Sequence, residues 1–407
     1  MNFIDIKGMF ARGSRSERIV ATDAKVGQDR DWLRALKVAL YAFVLSRVLI
    51  VLAAAVAFGY AEHRVDLQKP TETVHIFSPA FFEKLHGVVL QGDAGWYLGV
   101  AEHGYEKRAF DASAPANWAF FPLHPKLWRA LILLGLEPGL AGVLLANVAF
   151  FAALVQLWRW VRLLADDEMA TRAVMCLALW PTSYIFSLPH TESLYLLLLA
   201  SSLLAMQTRR WAWAALFAGL CSGTRVTGVL LAPLLWWQSR RSVSLPKRTA
   251  LAALATFGLA IFMWILWRKC GDPLAFAHIQ PIWGRENGHL FGPIFQFITH
   301  PLLVAEPWNV PGAGVASIAL AVCATLWLWR NGQVALASFT FACVLLPWQS
   351  GSLMGMPRYI SVCVPVYLAL AAWLKRPSLC LAWLLASACV LAAMSAAFMM
   401  GESFAMT

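Results

Sequence analysis

The chain has 407 residues, 60% of them apolar and 14% charged, with a formal net charge of +11 and a mean hydropathy of +0.62. A soluble domain carries roughly 25% charged residues, so water is excluded as the main solvent for most of this molecule. The positive charge does not mark a nucleic-acid binder either, because it lies in short clusters between apolar blocks rather than on one face of a soluble domain.

Those blocks are long enough to cross a hydrocarbon core, which takes about 20 residues as helix. No period-two alternation points to an outer-membrane barrel, so helices are left as the way to satisfy the backbone in lipid. The expectation is an all-α integral membrane fold, a polytopic bundle of about 10–11 transmembrane or half-spanning helices. A basic, polar leader over 1–35 carries Arg12, Arg15, Arg18, Lys25, Arg30 and Arg34, and is placed in the cytoplasm by the positive-inside bias. The remainder, 36–407, reads as a single membrane domain. Its first apolar block, 36–60, is too long for the core of a cleaved signal peptide and is read as a retained span.

A polar, aromatic stretch over 61–121 follows on the outward side, and with the short apolar segment 122–136 it makes a first outward loop, 61–137. Lys126 and Arg129 mark 122–136 as an interfacial or half-inserted helix. The block 138–160 then runs inward to the aromatic and basic anchor Trp158, Arg159, Trp160 and Arg162. Segment 173–189 returns outward to Pro189-His190-Thr191-Glu192, and 193–207 goes back to Arg209-Arg210. The long run 211–237 has basic residues at both ends and a break at Ser222-Gly223-Thr224-Arg225, which predicts two half-helices with Arg225 near the outward leaflet. Segment 249–267 runs out to a second outward loop, 268–311, and further spans are expected over 312–329, 333–349, 357–374 and 379–399. Arg240-Arg241, Lys247-Arg248, Arg330 and Lys375-Arg376 all fall on the cytoplasmic side of that single topology.

Ionisable residues at membrane depth cost about 2.5–3.5 kcal/mol or more and are functional candidates by default. Arg47 in the middle of the first span, Arg225 at the break and Arg358 behind Met356-Pro357 qualify. Arg47 also fits a packing role and Arg358 a snorkelling one. Two arginines at outward helix breaks suit a phosphate at the lipid surface, because guanidinium binds phosphate oxygens through a planar fork. Among the carboxylates, Asp93 lies near the start of a short amphipathic helix in the first loop, where it serves either as a helix cap or as a reactive group. Glu192 opens a span, where the helix dipole favours a negative charge in any case. His103, His124, His190 and Glu192 have no metal-motif spacing such as HExxH. The eight cysteines form no CxxC pair and fall mostly in apolar runs, so neither a disulfide framework nor a zinc site is expected.

Taken in order, several of these segments resemble the PIG-V-type mannosyltransferases of the GT-C superfamily of membrane glycosyltransferases. The first is Gly92-Asp93-Ala94-Gly95-Trp96-Tyr97-Leu98 with Ala101-Glu102-His103-Gly104-Tyr105, which is similar to the family's first-loop signature. Phe120-Phe121-Pro122-Leu123-His124-Pro125, Pro181-Thr182-Ser183, His190-Thr191-Glu192-Ser193-Leu194, Thr224-Arg225 with Gly228, and Pro357-Arg358-Tyr359 follow, and Ser46-Arg47 resembles the family's first span. The resemblance covers roughly residues 40–375. Gln91-Gly92 stand before Asp93 where the family often has an aromatic, and one carboxylate stands where many GT-C enzymes have an acidic pair.

The resemblance implies a GT-C-like transferase that moves a hexose, mannose foremost, from a polyprenyl-phosphate sugar to an acceptor hydroxyl on the outward face. It implies a bacterial inner membrane and a periplasmic site, with a glycolipid, glycan or protein as acceptor. No cofactor beyond the lipid-linked donor is required; a divalent metal is left open. Asp93 is the expected base, and Arg225, Arg358 and Arg47 are the expected donor-phosphate contacts. His190, Glu192, His103 and His124 are expected near sugar or acceptor, with Trp96 and Tyr97 either stacking on sugar or anchoring the interface. The competing reading is a transporter or flippase for a lipid-linked sugar or other anionic lipid, against which stands the lack of repeated halves.

Overall fold

The computed structural model describes residues 23–65, 78–285, 289–300 and 309–405. Most of the basic leader and parts of both expected outward loops lie outside the described residues. Among the described residues every regular element is a helix. Four are long and apolar enough to cross a membrane: Asp31–Tyr60, Pro138–Leu164, Pro311–Arg330 and Pro377–Met399. A fifth candidate is a pair, Leu245–Leu254 and Phe257–Cys270, bent by 48°. Four shorter apolar helices, Glu192–Gln207, Trp211–Ser222, Val334–Trp348 and Val364–Trp373, complete the bundle. The protein is an integral membrane protein of the helical class.

The first span shows why. Leu40, Val44, Val48, Leu52 and Val56 recur every fourth residue and are exposed, while Ala35, Ala39, Ala42, Ser46, Ile50, Ala54 and Ala57 are buried. A helix that buries its small residues and exposes its large apolar ones is built for lipid on one side and close helix packing on the other. The helix Pro138–Leu164 packs most extensively against Glu192–Gln207 and also touches the first span. Its start is defined by Glu137, whose carboxylate accepts from the amides of Gly139 and Leu140 at 2.8 Å each, with proline at the first helical position. Its far end meets the start of the first span, where Asp167 accepts from Arg34 and forms an ion pair with Arg162, and the Arg159 guanidinium lies 4.9 Å from the Trp32 ring.

Three expected spans take a different form. The segment expected over 173–189 is a helix only over Asp167–Ala178, followed by a 3-10 turn at Ser183–Ser187. Asp166 caps the helix by accepting from Met169 N at 2.8 Å, which starts it early, and Pro181 bars its continuation. The segment 249–267 bends at Ala255-Thr256 so that Gly258 can sit on Gly219 and Gly223; a Cβ on Gly258 would come within 2.3 Å of the Gly219 carbonyl oxygen. The segment 357–374 divides into Met356–Ser361 and Val364–Trp373. Pro365 cannot donate to the carbonyl of Ser361, and the Tyr367 hydroxyl donates to it instead at 2.8 Å.

Candidate active site

Four charged side chains from four separate segments meet at one end of the bundle. Asp93 is the first residue of the helix Asp93–His103, and its preceding Gly92 has φ 60° and ψ −131°, a conformation open in practice to glycine. That turn leaves the Asp93 carboxylate free of any capping bond and aims it at Arg358, whose Nη1 donates to Oδ2 at 2.7 Å. The Arg358 Nε donates to Oε1 of Glu192, and Arg225 Nη1 donates to the same oxygen. The result is a continuous chain, Asp93–Arg358–Glu192–Arg225. The Glu192 side chain is fully buried, Arg358 is 8% exposed and Asp93 is 40% exposed, so the chain runs from the interior to an accessible carboxylate.

Each member is held by its local backbone. Arg225 sits where the run 211–237 breaks into Trp211–Ser222, a 3-10 turn at Val226–Leu230 and Leu231–Gln238. The break would strand polar groups, and they are satisfied individually: Thr224 Oγ1 donates to Cys221 O at 2.6 Å, and Leu123 N donates to Gly223 O at 3.1 Å. Gly228 lets the turn fold back, since a Cβ there would lie 2.5 Å from the backbone of Cys221. Glu192 opens its helix after the Ser183–Ser187 turn, which Ser193 Oγ ties down by donating to Phe186 O at 2.8 Å. Arg358 lies in the short helix Met356–Ser361, whose Pro357 carbonyl accepts from Trp180 Nε1 at 3.3 Å.

Aromatic packing supports the Asp93 helix. Trp96 stacks on Phe120 at 5.7 Å and meets Trp283 edge-on at 5.2 Å, while Tyr97 packs edge-on against Phe120 at 4.9 Å and His124 at 5.4 Å. Arg129 Nη1 donates to the carbonyls of Ala101 and Glu102, both at 2.7 Å, at the end where a helix leaves its carbonyls unpaired. Tyr97 is buried, and its place is in the support of the helix; Trp96 is half-buried and borders an open cavity of about 280 Å³ with Gly95, Gly99, His103, Tyr105 and Asn117.

Several polar atoms at the cluster are buried without partners among the described residues: Oε2 of Glu192 and both ring nitrogens of His190 and of His124. Burial pushes the His124 imidazole down to about 3, so it is neutral. Burial works to raise the Asp93 carboxyl, but its partial exposure limits that effect, and the Arg358 charge and hydrogen bond hold it below the usual carboxylate value. The arrangement offers a carboxylate open to solution, two guanidiniums behind it, and an inward carboxylate oxygen and imidazole nitrogens awaiting hydrogen-bond partners.

The structure brings Asp93, His190, Glu192, Arg225 and Arg358 together, with Tyr97 and His124 packed behind. Two other candidates lie elsewhere. His103 is exposed at the far end of the Asp93 helix, about 15 Å along its axis at 1.5 Å per residue. Arg47 donates to Ser187 Oγ at 2.6 Å and to Ser183 Oγ and O at 2.8 and 3.1 Å, with its guanidinium 4.7 Å from the Phe150 ring. Sequence analysis passes over the part played by Tyr359, on whose ring Arg225 lies at 5.1 Å, and over Arg285 and Trp283 of the loop after Cys270. The available signal was an arginine two residues after a tryptophan in an outward loop, but nothing local ties that pair to residues 96 and 359.

No protein-family model and no curated protein matches the chain. Among solved structures it is similar to the Archaeoglobus fulgidus oligosaccharyltransferase in complex with zinc and sulfate, at 15% identity and a TM-score of 0.40, covering 88% of this chain and 53% of that one. It is similar to the same enzyme tethered through a disulfide to an acceptor peptide containing the NVT sequon, at 12% identity and a TM-score of 0.41, covering 88% and 55%. The chain thus spans about half the length of the oligosaccharyltransferase it matches.

Proposed function

We propose that the protein is a membrane glycosyltransferase of the GT-C type, which moves a hexose from a polyprenyl-phosphate donor to an acceptor hydroxyl with inversion. Mannose is the sugar to test first, on the strength of the motifs shared with PIG-V-type enzymes. The observation that carries the reading is the bridge made by Arg358 between an accessible carboxylate, Asp93, and a buried one, Glu192. A packing salt bridge needs one acid and one base. Here two acids and two bases from distant segments are joined at the rim of the bundle, with acceptor and donor capacity left over at Glu192 and His190.

In this reading the acceptor oxygen attacks the anomeric carbon, its proton passes to Asp93, and the C–O bond to phosphate breaks with its electron pair on the phosphate oxygen. A phosphate is already a good leaving group and needs positive charge rather than a general acid, a task suited to Arg358 and Arg225. Arg358 also links the two events. While bonded to Asp93 it weakens that carboxylate as a base; a donor phosphate that competes for the guanidinium leaves Asp93 freer to take the proton. Glu192 Oε2 and the His190 nitrogens supply partners for sugar or acceptor hydroxyls. Leaving such buried atoms unpaired costs about 1–3 kcal/mol each, which a bound hydroxyl would recover. The groove lined by Trp96, Gly99 and His103 runs along the helix that Asp93 opens and is offered as the path of an acceptor from the loop side. The Asp93 end is read as the outward, periplasmic face of a bacterial inner membrane, with the N-terminus in the cytoplasm. In this reading Arg47 is a packing residue, whose Nη1 and Nη2 donate to Ser187 and Ser183.

The test is transfer of radiolabelled mannose from polyprenyl-phosphate mannose in membranes containing the protein, with Asp93→Asn alongside. Label should enter a new product with wild type alone. Failure with every polyprenyl-phosphate sugar and crude acceptor, together with translocation of an intact lipid-linked sugar, would replace the reading by transport.

A further inference from the structure

A guanidinium that meets no carboxylate among the described residues stands at the edge of the cluster. The loop after Cys270 carries a 3-10 turn, Gln280–Trp283, whose last residue packs edge-on against Trp96 of the Asp93 helix at 5.2 Å and against Phe120 at 6.2 Å. That contact fastens the loop to the helix bearing Asp93. Gly284, with φ 69°, then reverses the chain in the left-handed region, and the next residue is Arg285. Its guanidinium carbon lies 5.3 Å from the centre of the Tyr359 ring, and that of Arg225 lies 5.1 Å from the same ring. Tyr359 directly follows Arg358 in the chain. Among the described residues Arg285 meets no carboxylate, and the contact it makes is this ring.

Charge balance then gives Arg285 a purpose. Asp93 and Glu192 offset Arg225 and Arg358, so the cluster alone has no net charge to offer an anion. A lipid-linked donor is a phosphodiester and brings one negative charge. On transfer the electron pair of the broken bond gives the departing phosphate monoester a second negative charge, while the acceptor proton neutralises Asp93. Arg285 makes the sum zero before and after that step; without it the site is one positive charge short throughout.

We infer that Arg285 is a donor-binding residue that contacts the phosphate of the lipid-linked substrate from the loop side, with Tyr359 as its platform. The inference rests on the glycosyl-transfer reading for the identity of the donor. Its ligand chemistry, a phosphate ester on a prenyl chain, is testable without any transfer. Purified full-length protein in detergent is titrated with farnesyl phosphate, with farnesol and inorganic phosphate as separate arms and a short-chain phosphatidate as competitor. Farnesyl phosphate should bind wild type at least about tenfold more tightly than farnesol, inorganic phosphate or phosphatidate: the charge-assisted contact separates it from farnesol, and the prenyl chain from the other two. Arg285→Gln should weaken that binding about 10–100-fold and Arg285→Lys less. Tyr359→Leu should weaken it too, through loss of the platform. With a lipid-phosphate sugar as donor, kcat/KM of Arg285→Gln should fall by at least the same factor.

Wild-type affinity in Arg285→Gln overturns the inference, as does equal binding of farnesol, inorganic phosphate or phosphatidate to wild type. Loss of binding in Arg285→Gln, with no lipid-phosphate sugar consumed by wild type, keeps Arg285 as an anion contact and removes glycosyl transfer. Unchanged binding and transfer in Arg285→Gln does the reverse.

Discussion

Two arginines at membrane depth receive opposite treatment in this protein, and the contrast separates structure from function. Arg47, in the middle of the first span, is surrounded by neutral partners: the hydroxyls of Ser183 and Ser187, a carbonyl and the Phe150 ring. Ser187 in turn donates to Asn147 Oδ1 at 3.0 Å, so the network ends within the fold and joins three elements. Arg358 is more deeply buried but is joined to two carboxylates, and the second of these is shared with another arginine. The first arrangement spends its Nη1 and Nη2 bonds on holding helices together and leaves one donor, Nε, without a partner among the described residues. The second leaves Glu192 Oε2, His190 and an accessible Asp93 with capacity for a ligand. A buried charge alone is therefore a weak pointer to a site; what its partners still lack is the stronger one.

That contrast can be broken by substitution. Glu192→Ala leaves Arg225 without a carboxylate in the interior and Arg358 with Asp93 alone, and the loss expected from removing one partner of a buried pair is about 3–5 kcal/mol. Thermal unfolding in detergent should show it as the largest drop of any single variant at the cluster. Arg358→Gln should reduce transfer about 10²–10³-fold, the scale for removing one electrostatic contact to a developing charge. It should also move the acid limb of the residual rate. In wild type Arg358 holds the Asp93 carboxyl below its usual value, so the base form persists into acid solution and the rate should stay level down to the ordinary carboxylate range. Without the cation, burial and the Glu192 charge raise the carboxyl, and the limb should shift to higher pH. A pH–rate profile that does not move would detach Arg358 from Asp93. Gly228→Ala forces a methyl into the Cys221 backbone and should cost about 1–3 kcal/mol while displacing Arg225, read as a lower melting temperature together with reduced transfer. Arg47→Met is the smallest expected effect: about 1–3 kcal/mol of stability and transfer within threefold of wild type. A loss of transfer beyond tenfold with the fold intact would put Arg47 back at the donor.

The same contrast explains what was legible in the sequence. Spans such as Pro138–Leu164 and Pro377–Met399 are written in continuous apolar blocks ending at basic residues, and the break around Arg225 is written in Ser222-Gly223-Thr224. These are local signals. The bend at Ala255-Thr256 is not local, because it is set by the contact of Gly258 with Gly219 on another helix. The division at Val362-Cys363 needs both Pro365, which is visible, and the Tyr367 hydroxyl that takes the freed carbonyl, which is not. At the site, Asp93, Glu192, Arg225 and Arg358 stand out as charges in apolar or aromatic surroundings, and the family resemblance orders them. Which of them touch is a matter of tertiary packing. Nothing in the sequence distinguishes Arg47, whose partners are serines, from Arg358, whose partners are acids. Arg285 is hidden for the opposite reason: an arginine in a polar loop is unremarkable until the loop is folded onto the Asp93 helix by Trp283.

The measurement that bears most directly on the account is donor turnover by purified wild type and Asp93→Asn, with binding and chemistry read separately. Polyprenyl-phosphate mannose is supplied with crude membrane acceptors, and released polyprenyl phosphate is followed beside the affinity for the intact donor. With Asp93 as the base, wild type should release polyprenyl phosphate, Asp93→Asn should release it at least about 10²-fold more slowly, and both should bind the donor equally. Near-wild-type release by Asp93→Asn would contradict that role, and would leave the Asp93–Arg358–Glu192–Arg225 chain as a structural brace in an enzyme whose base lies elsewhere.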